Sequence, residues 1–155
     1  MKNLKSQTIL LLITGLLIAS TNVNAQRGNN GWGQNSNYGR LFNANTMETI
    51  SGTVEAVETI SMDTKMSTGI HLKVKTKSLT VSVHLGPSWY LDNQDIQFEK
   101  GDKITVTGSR ISYQNAPAII AVEIVKGDDV LLLRDKTGFP VWSGWRKKGM
   151  GKRRN

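Results

Sequence analysis

The fold is decided by residues 70–87, IHLKVKTKSLTVSVHLGP. Apolar and polar side chains alternate twice in this stretch, first over residues 70–74 and again over residues 79–85. Such alternation is typical of a β-strand that buries one face. The two strands are separated by a short polar segment, so the pattern predicts a hairpin whose tight turn is Lys77-Ser78.

The same periodicity continues on both sides of this hairpin. Upstream, Ile50, Val54 and Val57 predict an earlier strand, in which Gly52 marks a bulge or bend. Downstream, the chain predicts a two-turn helix, two further strands and an outer hairpin, which cover residues 88–95, 104–111, 118–125 and 127–142. Three strands, a short helix and two strands is the order of the OB-fold. We therefore predict an all-β, OB-like Greek-key barrel of five strands, with a helix between strands 3 and 4 and an extra C-terminal hairpin.

The first 25 residues predict export. Lys2 and Lys5 precede an uncharged apolar run over residues 8–19, and a small, polar stretch ends at Ala25. This order is that of a cleavable signal peptide, and the run is shorter than the roughly 20 residues that span a bilayer. We expect cleavage after Ala25 and a periplasmic mature protein. The chain has no cysteine, which excludes disulfides, a lipoprotein anchor and a CxxCH haem attachment.

Residues 26–46 are dominated by Gly and Asn and are predicted to form a flexible linker to a domain over residues 47–145. Trp32, Tyr38 and Phe42 stand out within it. Given the composition around them, we interpret them as adhesive residues of a disordered arm in preference to a docking motif.

Positive charge is concentrated at the C-terminus. The net charge of +8 includes the two lysines of the signal segment, and residues 146–155 contain six cations and no acid. The remaining residues, 26–145, therefore balance, with twelve basic and twelve acidic side chains. A neutral domain argues against nucleic acid as the partner. The tail either holds the protein at an anionic membrane surface or is a solvated tail that aids solubility. Its cations are Arg146, Lys147, Lys148, Lys152, Arg153 and Arg154.

The two histidines are the strongest candidates for a binding site. If the turn is Lys77-Ser78, then His71 lies directly opposite His84, with Cβ atoms about 5 Å apart. We predict that both imidazoles lie on one exposed face, where OB-folds usually take ligands. The predicted ligand-binding residues on and beside this face are His71, Lys73, Ser82, His84 and Trp89.

A metal held by His71 and His84 is the one cofactor that stays open. Zinc usually requires at least three protein ligands, so the pair needs a third donor, for which Asp63 and Asp92 are candidates. The alternative is a pair of surface histidines brought together by the register. Met62 and Met66 could bind Cu(I) through their thioethers, although methionines in loops more often serve as adaptable packing.

The remaining conspicuous side chains favour structure over chemistry. Trp89 opens the predicted helix and is expected in the core, whereas Trp142 and Trp145 are expected to fasten the last hairpin. The carboxylates Asp92, Asp95, Asp128 and Asp129 lie at turns and helix ends, where Asp makes local hydrogen bonds. There is no serine elbow, HExxH motif or P-loop. We expect that the protein is not an enzyme.

Four stretches together carry a family resemblance: VHLGPSWYLDNQ (83–94), GDKITVTGSR (101–110), PAIIAVEIVKGDDVLLLRD (117–135) and GFPVWSGWR (138–146). They resemble small periplasmic OB-like domains, most closely the domain shared by the magnetosome proteins MamS and MamX and by relatives in bacteria without magnetosomes. The resemblance implies an accessory role at the cell envelope, in metal or redox housekeeping. Members that bind haem carry CxxCH, which this chain lacks, and the family offers no catalytic residues to carry over.

These observations rank three functions. The first is a non-enzymatic accessory protein of the envelope that binds a partner protein or a small ligand through its OB-fold. The second is a periplasmic protein that handles iron, copper or zinc through His71 and His84. The third is a binder of nucleic acid or another polyanion, against which the neutral domain and the compartment argue.

Overall fold

The computed structural model describes residues 31–61 and 67–143. Six strands and one short helix follow two 3-10 turns, at Gly39–Leu41 and Ala44–Thr46. The elements are β1 (Met47–Ile60), β2 (Gly69–Lys75), β3 (Thr80–Pro87), α1 (Ser88–Leu91), β4 (Lys103–Tyr113), β5 (Ala116–Lys126) and β6 (Asp129–Leu132).

Five strands close into a barrel. The order along the sheet is β3-β2-β1-β4-β5-β6, and β3 also pairs in parallel with β5, which joins the two sides. All other pairings are antiparallel, and β6 lies outside the ring against β5. This is the predicted OB-like barrel with its helix between β3 and β4 and an extra element at the C-terminal end, so the predicted fold is confirmed.

The barrel is filled by aliphatic side chains from the inward faces of its strands. Leu72, Val83, Val106, Ile119 and Ile124 are completely buried. Two glycines lie where neighbouring strands are in close contact. A Cβ at Gly108 would overlap the backbone of β5, and a Cβ at Gly52 would overlap the Lys75 carbonyl of β2. Bulges leave one residue unpaired in β1, between Val54 and Ala56, and one in β5, between Ala121 and Glu123. A closed barrel needs such bends to turn its strands through the corner.

The helix is shorter than predicted. The expected two turns over residues 88–95 reduce to Ser88–Leu91, after which the chain continues as turns. Tyr90 and Leu91 are the helix residues that enter the core, whereas Trp89 is only partly buried. The expectation that Trp89 itself fills the barrel end was therefore wrong, because the single turn directs its next two residues inward.

The segment before the barrel departs from the predicted linker over its described part, residues 31–46. Trp32 and Tyr38 are buried and belong to the same apolar cluster as the barrel interior, and Phe42 packs against that cluster. The three aromatic residues supply the apolar area that the surrounding Gly and Asn cannot, so they act as anchors on the barrel. Residues 26–30 lie outside the described part of the chain.

The end of the described chain covers another part of the outer surface. After β6, Arg134 pairs with Pro140 in an isolated bridge, and Trp142 is buried against Gly86. The expectation that Trp142 fastens this hairpin is confirmed, while Trp145 lies outside the described residues. Within residues 31–61 and 67–143, no helix is both long and apolar enough to cross a membrane.

Candidate functional site

The histidine pair forms as the register predicted. His71 of β2 is paired with His84 of β3, and the turn between the strands is closed by a hydrogen bond from the Thr76 amide to the Leu79 carbonyl. The two imidazole rings are stacked, with centroids 3.7 Å apart and planes inclined by 8°. The predicted direct pairing is therefore confirmed.

The predicted exposure of this face was wrong. His71 is 1% exposed and His84 is 0% exposed. The side chains do point outward from the barrel, but the segment over residues 31–42 covers them. Trp32 packs over Gly69, the first residue of β2, and its indole Nε1 donates to the Ser67 carbonyl at 2.9 Å. Strand alternation gives the side of the sheet on which a residue lies, and it carries no information about what covers that side.

Two tyrosines complete an aromatic cluster around the imidazoles. The Tyr38 hydroxyl lies 2.9 Å from His84 Nδ1, and its ring stacks beside the same imidazole with centroids 5.8 Å apart. Tyr113 ends β4 and lies perpendicular to His84, with ring centroids 4.9 Å apart. The site therefore combines two strands, the end of a third strand and the covering segment.

The surroundings hold both imidazoles neutral at pH 7. Burial and the nearby Lys73 cation lower the pKa of His71 from 6.5 to about 4. Burial also lowers the pKa of His84 far below its ordinary value, and His71, Arg134 and Lys73 add to this effect. Burial raises the pKa of Tyr38 above its ordinary value of 10.0, so its hydroxyl keeps its proton. Neutral side chains suit a face covered by aromatic residues, because a buried charge without a partner is expensive.

One nitrogen of each imidazole has no hydrogen-bond partner. Both Nε2 atoms are buried and unsatisfied. For His84 this holds in either tautomer: Nε2 is an orphan donor if Tyr38 donates to Nδ1, and an orphan acceptor if Nδ1 donates to Tyr38. A buried polar atom without a partner costs about 1–3 kcal/mol, so a group that satisfied these atoms would be bound more tightly.

The stacked geometry does not converge on a metal ion. Imidazole lone pairs lie in the ring plane, and two nearly parallel planes share no point at which an ion could meet both. Joint coordination would require at least one ring to rotate. Of the two candidate third ligands, Asp92 is exposed at the end of α1, and Asp63 lies outside the described residues. Within the described ranges, no three His, Cys, Asp or Glu residues form a metal-binding group.

The other predicted ligand-binding residues lie at different distances from this cluster. Lys73 and Ser82 are paired two positions farther along β2 and β3 than the histidine pair, on the opposite side of the pleat from Leu72 and Val83. Lys73 is half-exposed, and its Nζ lies 3.6 Å from a Glu58 carboxylate oxygen. Trp89 lies in α1, beyond the end of β3, where its ring meets Tyr90 edge-on.

The remaining predicted sites fall outside the described residues. These are the methionine pair Met62 and Met66 in the loop between β1 and β2, and the cationic tail over residues 146–155. Both stay predictions.

Arg134 and Tyr113 are the site residues that sequence reasoning missed. Arg134 is 4% exposed, donates through Nη1 to the Leu85 and Ala121 carbonyls, and lies 4.8 Å from the ring centroid of Trp142. A cation directly after the apolar run VLLL was the available signal for a buried guanidinium. Tyr113 precedes the turn between the last two barrel strands, which is a loop that OB-folds use for ligands.

Comparison with known proteins identifies the family of this barrel. The model of the MamS/MamX magnetosome protein family matches residues 46–131. The chain belongs to this family. The MamS/MamX match extends from the last residue before β1 to the middle of β6, so it includes the whole barrel and both histidines.

Comparison with solved structures also gives a match. It is a chain of the S. pombe Stn1-Ten1 complex, with a TM-score of 0.42 and 16% sequence identity. The similarity covers 65% of this MamS/MamX chain and 66% of the other chain. A search of curated proteins gives no match.

Proposed function

We propose that this MamS/MamX protein is a non-enzymatic binding module of the cell envelope. Its ligand site is the outer face of β2 and β3, and residues 31–42 cover that face until a ligand displaces them. The occupant in this structure is a polypeptide that uses aromatic anchors, so we propose a partner with the same chemistry: an extended segment carrying Trp or Tyr. The observation that carries the proposal is the burial of His71 and His84 beneath a segment that side chains hold in place.

The attachment of the covering segment supports its displacement. Among the described residues, the backbone hydrogen bonds that residues 31–42 make are local, such as Arg40 to Ser36 and Phe42 to Gly39. Side chains make the contacts with the rest of the domain: Trp32 and Tyr38 at the histidine face, and Gln34, whose Nε2 donates to the Thr137 carbonyl in the turn after β6 at 3.0 Å. Lifting the segment therefore breaks no strand pairing, and the barrel keeps its own hydrogen bonds.

The chemistry of the covered face also supports a ligand. The two unsatisfied Nε2 atoms offer polar positions beneath the cover, and Tyr113 offers an aromatic ring beside them. Binding sites commonly combine an apolar surface with a few buried polar groups that fix the orientation of the ligand.

The test uses the segment itself as a free peptide. A Trp32→Ser/Tyr38→Ser variant should release the cover, and it should then bind a synthetic GWGQNSNYGRLF peptide in fluorescence polarisation. The Leu41→Ser variant is the matched control, because Leu41 belongs to the same segment but is 40% exposed. Both the wild type and this control should bind the peptide at least about tenfold more weakly, since their own segment competes. Failure of the folded double variant to bind the peptide would refute the proposal.

Metal binding is a second candidate function, favoured by the same unsatisfied Nε2 atoms. Borderline ions such as Zn²⁺ and Cu²⁺ bind neutral imidazole, and rotation of one ring would bring the two donors together. Calorimetric titration of the wild type and of a His71→Ala/His84→Ala variant with Zn²⁺, Cu²⁺ and Cu⁺ tests this function. Unaltered affinity in the variant would leave the pair without a metal-binding role.

A further inference from the structure

Apart from the covered histidine face, an open surface lies on the outside of the barrel, at the end that carries the β2–β3 turn. It is a groove of about 590 Å³ lined by parts of β1, β2, β4 and β5. Three lysines line it: Lys75 at the end of β2, Lys77 in the turn, and Lys103 at the start of β4. No carboxylate side chain is among the lining residues. The groove shares no residue with the covered histidine face.

Strand register explains why the lysines converge. Thr53 of β1 pairs with Lys75 on one side and with Lys103 on the other. Side chains paired across neighbouring strands project to the same side of the sheet. Adjacent strands lie about 4.8 Å apart, which places the Lys75 and Lys103 backbones roughly 10 Å from each other with the Thr53 hydroxyl between them. Lys77 extends this row from the turn.

The charge of the groove is largely uncompensated. Elsewhere on the sheet, cations have close partners: Arg110 lies 2.6 Å from Glu48, and Lys126 lies 2.7 Å from Asp102. Within the groove, Lys75 has a longer contact of 3.7 Å with Glu55, whose other carboxylate oxygen accepts from Thr80. Among the described residues, no carboxylate lies within 4.0 Å of the ammonium group of Lys77 or Lys103.

Hydroxyl groups and a glycine complete the groove. The Ser51 and Thr105 hydroxyls are 2.9 Å apart, so one donates to the other and the acceptor keeps its own proton for a ligand. Gly52 forms part of the floor, and a side chain there would overlap the Lys75 carbonyl. Its lack of a side chain keeps β1 close to β2.

We infer that this groove is a binding site for a phosphate-bearing ligand. The ammonium groups supply charge and hydrogen-bond donors to phosphate oxygens, and the hydroxyl groups supply neutral donors between them. The spacing of the lysines suits two or more phosphate groups better than one. The inference is independent of the proposed function, since it uses neither the histidines nor the covering segment.

Residue-resolved NMR with inorganic triphosphate and with long-chain polyphosphate tests the inference. In the full-length mature protein, amide shifts should change at Gly52, Thr53, residues 75–78 and Lys103. The Lys77→Gln/Lys103→Gln variant should bind triphosphate about fivefold more weakly, as expected for the loss of two exposed charges. Tighter binding of polyphosphate than of triphosphate at the same residues would identify a polymer as the ligand, and equal binding would identify a small molecule.

The control variant must carry the same net charge. Lys136→Gln/Lys152→Gln removes two cations, one from an exposed turn outside the groove and one from the C-terminal tail. This variant should bind triphosphate within about twofold of the wild type. Equal weakening in the two variants, or shift changes confined to residues 146–155, would overturn the inference and leave only non-specific attraction to the tail.

Discussion

Acidification should destabilise this protein well before its carboxylates are protonated, because both histidines are buried in the neutral form. An unfolded histidine takes up a proton near pH 6.5, whereas folded His71 does so only near pH 4. Between these values the unfolded state binds more protons than the folded state, so stability falls as the pH falls. At pH values well above 6.5 the histidines are neutral in both states and the effect disappears.

The size of the effect follows from the shift of the His71 pKa. A shift from 6.5 to about 4 corresponds to about 3 kcal/mol once the pH is below both values. At pH 5 the expected loss is about 2 kcal/mol for His71. The pKa of His84 is lowered at least as strongly, so the pair should lose about 4 kcal/mol between pH 7 and pH 5. The pKa values of Asp102 and Asp135 are lowered in the folded state, so these carboxylates also contribute to stability. That contribution is lost only at still lower pH, where the carboxylates become protonated.

Urea denaturation at pH 7, 6 and 5, followed by far-UV circular dichroism, measures this loss. A His71→Gln/His84→Gln variant is the control, since glutamine is polar and does not titrate; it should lose less than about 1 kcal/mol over the same range. If the double variant and the wild type showed the same dependence on pH, the assignment of the acid sensitivity to the histidine pair would be wrong.

Three further predictions concern the barrel and its export. Arg134→Met should lower the free energy of unfolding, measured by the same urea assay, by about 3 kcal/mol, because two buried carbonyls lose their donor. The control Lys136→Met, on an exposed turn, should change it by less than about 0.5 kcal/mol. Gly108→Ala should lower the free energy of unfolding by about 3 kcal/mol, because the new Cβ overlaps the β5 backbone. Gly33→Ala should leave stability unchanged, because its Cβ meets no atom within 4 Å. Equal melting temperatures of the two variants would contradict the described packing at Gly108. Mass spectrometry of a periplasmic fraction should find an N-terminus at Gln26, and an intact first residue in the membrane fraction would contradict export.

The barrel could be predicted from the sequence because its information is local. Alternation over residues 70–74 and 79–85 fixed which face of each strand is buried. The short polar segment between them left the directly opposed pairing and one shifted by two residues, and the structure has the direct pairing. A slip by one residue would have exposed Leu72 and Val83, which are completely buried. The same reasoning placed His71 opposite His84.

The cover over the histidines could not be predicted in this way. Residues 31–42 contain mostly Gly, Asn and other polar residues. Their order comes from contacts far along the chain, which Trp32 makes with the Ser67 carbonyl and Tyr38 with the His84 imidazole. The partner of Tyr38 lies 46 residues away. No local period or motif encodes such a contact, so the segment was taken for a linker and the face beneath it for an exposed surface. Arg134 was missed for the same reason, since one of its acceptors, the Leu85 carbonyl, lies 49 residues away.

Because residues 43–46 tie the covering segment directly to β1, the segment competes with any partner from a fixed short distance. A short tether gives an effective concentration on the order of millimolar or higher, which is independent of how much protein is present. If the face is open in about one molecule in a hundred, the apparent dissociation constant of a free partner is raised about a hundredfold. A partner at low concentration is therefore kept off the face even when its shape fits the face. Under the proposed function, a partner held close to the face would reach it more readily than a dilute one.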